Sequence, residues 1–238
     1  MDRRRCLAIP LIAALPLLAA SAARAAVADE RWSDSARARS LPLRIRWPDG
    51  NAACALVLHS HGLGGSRDGG DAWGRAWREA GFAVVHVQHP GSDSEVLRGG
   101  LLALRAAASA DPLIARVADM RFVLGEILRR AGTGDGPWLR VRADAIGASG
   151  HSFGAQTVQA LAGKRYRVAT DGFADARLQA FIAFSPSLGK DGMSAEAQFA
   201  AVTRPFLAVT GFHDGDAEAQ AALRAPTGLA RGDRWTMD

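Results

Sequence analysis

The stretch Gly150-His151-Ser152-Phe153-Gly154 decides how the rest of this 238-residue chain is read. It follows a short apolar run, Ala145-Ile146-Gly147-Ala148, and leads into Ala155-Gln156-Thr157-Val158-Gln159-Ala160-Leu161, which reads as a helix. A G-x-S-x-G pentapeptide between a strand and a helix is the context of a nucleophile elbow. In such a turn the serine sits in a strained backbone conformation that lifts its hydroxyl clear of the sheet. The incoming strand and outgoing helix nearly touch two residues on either side of it, so only glycine or another very small residue fits at those places. The start of the helix behind Ser152 also presents unpaired N–H groups to any developing oxyanion.

Outward from the elbow, strands alternate with helices. Leu41-Pro42-Leu43-Arg44-Ile45-Arg46-Trp47 alternates like a half-buried strand and ends at a Pro48-Asp49-Gly50-Asn51 turn. Residues 53–59 and 82–87 are continuous apolar runs, as strands covered on both faces of a parallel sheet require, and 178–184 and 205–210 read as further strands. Helices are predicted over 72–80, where Gly81 stops the helix, over 193–202 and over 216–223. Residues 111–130 place Leu113, Val117, Met120, Val123, Leu124, Ile127 and Leu128 on one helical face. Residues 234–237 begin one more strand. The pattern predicts an α/β fold, a mainly parallel sheet with helices on both faces, in one domain spanning 41–238. Residues 26–40 are expected to form an exposed lead-in, and 91–109 is the one candidate for an inserted lid.

The first 25 residues do not belong to that domain. Arg3-Arg4-Arg5, an apolar stretch over 7–20 and Ala23-Arg24-Ala25 have the order of a secretory signal peptide, so export to a periplasm or secretion is expected. Cys6 precedes the apolar run instead of marking a cleavage site, which argues against a lipoprotein anchor. Four arginines and one aspartate leave with the segment, so the net charge of +5 falls to +2. With the remaining arginines scattered, nothing calls for nucleic acid or an anionic membrane as partner. Of the two cysteines only Cys54 remains, in an apolar run, where a buried thiol is expected.

A serine hydroxyl becomes a useful nucleophile when a base takes its proton and donors hold the oxyanion. His59-Ser60-His61-Gly62-Leu63-Gly64-Gly65 follows a buried strand, and its glycines allow close backbone approach, so the backbone N–H groups of Leu63 and Phe153 are assigned as the two donors. No Gly-Lys-Ser/Thr follows, which weighs against a phosphate-cradling loop. The acid is expected in Thr210-Gly211-Phe212-His213-Asp214-Gly215-Asp216, with Asp214 first and Asp216 as its alternative. Asp171 and Asp175 read as surface loop acids. His61, His89 and His151 are pocket-lining candidates, with His59 and His61 bracing the loop that holds the donors. No histidine stands where the base belongs, in the loop after the last strand, and a C-terminally truncated chain lacking that strand's end and the base loop is expected. The pairs His59/His61 and His86/His89 have metal-like spacing without a third and fourth ligand, so no metal and no cofactor is assigned.

The segments Ser60 to Arg67, His89-Pro90-Gly91-Ser92-Asp93, the elbow and Thr210 to Asp214 occur in an order that resembles the serine-type α/β-hydrolases grouped as "predicted dienelactone hydrolases", which are similar to chlorophyllase and platelet-activating-factor acetylhydrolase. The resemblance runs from about Leu41 onward. It implies an α/β-hydrolase fold and cleavage of a small-molecule or lipid-like carboxylic ester through an acyl-enzyme on Ser152, without a stable membrane anchor. Dienelactone hydrolases proper carry a cysteine nucleophile, so the group name says little about substrate. A non-catalytic ester- or lipid-binding protein with an incomplete triad, and an acyltransferase or peptidase on the same scaffold, are the alternatives.

Overall fold

A seven-stranded sheet organises the described residues. The structure, a computed structural model, describes residues 26–167, 172–188 and 192–210. Strands β1 (Val27–Asp34), β2 (Arg39–Arg46), β3 (Cys54–Ser60), β4 (Ala83–Val87), β5 (Val141–His151), β6 (Ala180–Phe184) and β7 (Phe206–Val209) lie in the order β1-β2-β4-β3-β5-β6-β7. The β1/β2 and β2/β4 pairs are antiparallel and the others parallel. The helices are α1 (Asp71–Glu79), α2 (Gly100–Ala107), α3 (Ala110–Thr133), α4 (Phe153–Ala162) and α5 (Ala195–Phe199). This is the architecture of an α/β-hydrolase. Among the described residues no helix is long and apolar enough to cross a membrane.

The strand order explains where the helices sit. From β3 the chain steps outward to β4, then reverses across β3 to β5 and continues to β6. Right-handed crossovers then put α1 on one face of the sheet and α3 and α4 on the other. Side-chain alternation agrees. Leu56 and Leu58 of β3 and Val85 and Val87 of β4 join Val117, Met120, Leu124, Val158 and Leu161 in the core. Their neighbours His59 and His86, partners in register, face α1. The loops after β3 and β5 diverge where the strand order reverses, the crevice in which α/β sheets place their ligands.

The lead-in expectation for 26–40 is corrected. Val27–Asp34 forms an edge strand against β2, and its Trp32, 5 % exposed, packs on Trp138 with ring centroids 5.4 Å apart. Trp47 closes the cluster at 4.8 Å from Trp138, and the Arg130 guanidinium lies 4.5 Å over the Trp32 ring. Alternating exposed and covered side chains are what a sheet edge wet on one face looks like. The helix expected over 193–202 is the shorter α5. Residues 91–109 are ordered as a 3-10 turn over Ser94–Gly99 followed by α2. Cys54 is buried and unpaired.

Candidate active site

β5 ends at His151, and Ser152 turns the chain into α4 at φ 53°, ψ −114°, a conformation that side chains with a Cβ rarely adopt. Strain of this kind costs about 1–3 kcal/mol and persists only where the surroundings enforce it. Here Ser152 N–H donates to Phe184 O at 2.9 Å, and Gln156 N–H donates to Ser152 O at 3.2 Å, fixing both sides of the turn. The glycines do what the motif requires. A Cβ on Gly150 would lie 3.0 Å from Ala155 N and closer still to Gly154 O. One on Gly154 would lie 2.7 Å from the Ser60 carbonyl carbon and 2.8 Å from His61 O. The Ser152 side chain stands exposed at the crevice.

The loop after β3 meets the elbow directly, since Ser60 pairs with Gly150 in register. Gly64 N–H donates to Ser92 O at 3.0 Å and Gly65 N–H to Gly62 O at 3.1 Å. Leu63 N–H, just before them in sequence, has no backbone acceptor among the described residues, and neither does Phe153 N–H in the first turn of α4. The two groups assigned as oxyanion donors are thus unclaimed by the fold.

Two of the three pocket-lining candidates lie in the interior. His61 and His89 are 1 % and 0 % exposed, so neither lines the pocket, because both side chains are bonded within the interior. His61 Nδ1 donates to Gly62 O at 2.6 Å and its Nε2 accepts from His89 N–H at 3.1 Å, which braces the loop. His59 and His86 lie with ring centroids 5.0 Å apart, backed by Gly70 and Gly74 of the α1 region, where any side chain would collide with their rings. His151 is exposed; its Nδ1 would sit 3.2 Å from a Cβ on Gly62, and its ring lies 6.0 Å from Trp73. Trp73 stacks on Phe184 at 3.9 Å, forming an aromatic wall beside the elbow. Across the crevice, Leu97 approaches Gly64, and Leu97, Leu101 and Leu102 are 57 %, 65 % and 80 % exposed. Asp175 is 9 % exposed and clamped by Arg177 at 2.6 Å, unlike the surface acid expected. Asp214 and Asp216, like His213 and the signal segment, lie outside the described residues.

Sequence reasoning missed a polar spine beneath the loop. Asp119 Oδ2 accepts from His89 Nδ1 at 3.1 Å, and Ser60 Oγ donates to His89 Nε2 at 3.0 Å. Asp119 also accepts from Arg37 Nη1 at 2.8 Å and from Arg39 Nε and Nη2, both at 2.8 Å. Burial works to raise the Asp119 pKa, yet hydrogen bonds from His89 and Arg39 hold it down at about 2. Ser60, His89 and Asp119 have the bonding order of a catalytic triad, but all three are fully enclosed. The available signal was Arg116 and Asp119 interrupting the apolar stripe of α3.

Burial lowers the pKa of four histidines, His61 to about 2, His86 and His89 to about 4, and His59 well below its ordinary value. Folded, they stay neutral where the unfolded chain would bind protons. Their stabilising contribution is therefore complete above about pH 6.5 and is lost as pH falls towards the folded values. Each histidine withdraws about 1.4 kcal/mol per pH unit in that window. Unfolding between about pH 6 and 4 is the expected result, read from tryptophan fluorescence during an acid titration. An unchanged melting temperature from pH 7 to 4.5 would contradict it.

No protein-family model matches the sequence, and no curated protein does. Solved structures are similar in fold. A ferulic acid esterase from Streptomyces cinnamoneus superposes with a TM-score of 0.57 at 23% identity, covering 87% of this chain and 71% of the esterase. A cold-adapted esterase from an Arctic intertidal metagenomic library gives 0.59 at 19% identity, over 84% and 79% of the two chains. A dienelactone hydrolase from Anabaena variabilis ATCC 29413 gives 0.51 at 18% identity, with the same coverages of 84% and 79%. Two further neighbours are much longer, and the chain spans 30% of one and 57% of the other.

Proposed function

We propose that this chain is an exported serine hydrolase of the dienelactone hydrolase group that cleaves carboxylic esters through an acyl-enzyme. The observation that carries the reading is Ser152, strained and exposed, with two unclaimed N–H groups beside it. Attack of the Ser152 alkoxide on the ester carbonyl would form a tetrahedral oxyanion held by Leu63 and Phe153 N–H. Collapse expels the alcohol, and water then releases the acid. Of the five described histidines, four are buried in other duties and His151 leans on Gly62, so the base comes from outside the described residues. Asp214 is the carboxylate proposed to orient it. The ester-cleaving names of the structural neighbours support the chemistry, and the wall of Trp73 and Phe184 with the exposed leucines near Gly64 supports a substrate with a sizeable apolar group.

A fluorophosphonate probe tests this directly, because phosphonylation needs both a reactive serine and an oxyanion site. The adduct is expected on the peptide containing Ser152, with ester turnover falling in step with labelling. Turnover that persists after complete labelling would overturn the assignment. In a protein shown to carry its base loop, tight ester binding with neither labelling nor turnover would favour the non-catalytic reading.

A further inference from the structure

Arg116 of α3 is 1 % exposed, and no carboxylate lies within ion-pair distance of it among the described residues. Its guanidinium reaches three separate segments. Nη2 donates to Ser60 Oγ at 2.9 Å and also to His61 O, both at the exit of β3. Nη1 donates to Ser92 Oγ at 2.8 Å, in the loop that receives Gly64 N–H. Nε donates to Thr157 Oγ1 at 3.1 Å, and that hydroxyl donates in turn to Phe153 O at 3.1 Å. The same cation lies 4.9 Å over the Phe153 ring. Arg116 therefore touches the frame on both sides of the gap between Leu63 N–H and Phe153 N–H.

We infer that Arg116 is the positioning residue of the oxyanion loop, a buried clamp that sets the spacing between the Leu63 and Phe153 donors; its catalytic consequence rests on the serine-hydrolase reading. A buried, unpaired cation is a costly way to fill a core, and an apolar side chain of equal volume would pack at less expense. What an apolar residue lacks is the planar fork that bonds several acceptors in fixed directions, which lysine lacks too. The spine behind Arg116 fixes the acceptors. Asp119 orients His89, His89 takes the Ser60 proton, and the Ser60 oxygen is thereby turned to accept from Arg116.

Two readouts test the inference, one with chemistry and one without. In ester turnover Arg116→Met is expected to lower kcat about 100-fold, the usual effect of losing one aligned oxyanion donor, with KM changed by less than about threefold. Arg116→Lys keeps the charge without the fork and should remain within about tenfold of the methionine variant. Leu124→Ala, a core truncation remote from these bonds, should lower Tm and leave kcat unchanged. In a Ser152→Ala background, Arg116→Met should raise hydrogen exchange selectively in residues 60–66 and 88–93. If Arg116→Met does not fold, Arg116→Lys and the near-isosteric Thr157→Val carry both measurements. Retained kcat in an active enzyme, or exchange rising uniformly along the chain, overturns the clamp. Should a wild type that carries its base loop neither turn over esters nor take the phosphonate while the local exchange effect appears, the clamp stands and the hydrolase reading falls.

Discussion

In the protein with its base loop present, replacing Ser152 with alanine is expected to reduce ester turnover by roughly 10⁴- to 10⁶-fold, the range seen when a hydrolase loses its nucleophile. The physical case is that one atom is removed and nothing else moves. Alanine meets the same steric penalty at φ 53° that serine does, so the strained turn is neither relieved nor worsened. The bonds that hold the turn are backbone bonds, Ser152 N–H to Phe184 O and Gln156 N–H to Ser152 O, and both survive. The hydroxyl is exposed and has no hydrogen-bond partner among the described residues, so its loss leaves no buried polar group unsatisfied. Tm should therefore stay within about 2 °C, since each kcal/mol moves a domain of this size by only a few degrees. The pairing of a collapsed kcat with an unmoved Tm is the signature to look for. Residual turnover above a few per cent would assign the chemistry to another group.

The parts of this fold that are legible in the sequence are those where local chemistry is forced. Buried strands such as β3 and β4 are mostly apolar, and they read as such. The elbow is legible because its close approaches at Gly150 and Gly154 admit only very small residues on either side of the nucleophile. The edge strand β1 was hidden because half of its side chains face water and Asp29, Glu30, Arg31 and Asp34 make it look like a tail. The spine was hidden for another reason. Ser60, His89, Ser92, Arg116, Asp119 and Thr157 come from four segments, and no spacing rule links them before the sheet brings their ends together. Their polarity reads as surface until the burial is known. The histidines illustrate the same point: His61 and His89 read as pocket-lining candidates, whereas the fold uses four of the six histidines as neutral interior hydrogen-bonding groups. The candidate acid, Asp214, was argued from its place after the last full strand and lies outside the described residues.

Gly154→Val is expected to be the most damaging single change to the fold, lowering stability by roughly 3 kcal/mol or more, about 6–12 °C in Tm. A Cβ at this position enters the space of Ser60 O and lies 2.8 Å from His61 O, and neither neighbour can retreat. β3 is held in register between β4 and β5, while Ser60 Oγ and His61 O are both tied to Arg116. On the other side α4 is backed by the core through Val158 and Leu161, 0 % and 1 % exposed. The contrast is Gly125→Ala in the middle of α3, where a Cβ would meet only Arg177 Nη1 at 3.6 Å. There helix propensity alone acts, and the substitution should stabilise by about 0.5–1 kcal/mol. The two thermal melts thus separate a glycine required by contact from one that is merely tolerated. Activity should separate them further. Where the milder Gly154→Ala still folds, α4 can accept the methyl only by backing away from β3, which carries Phe153 N–H away from Leu63 N–H. Loss of kcat in Gly154→Ala beyond what its stability explains would mean that this one contact both closes the fold and sets the width of the oxyanion site; a fully active, fully stable Gly154→Ala would refute both halves of that statement.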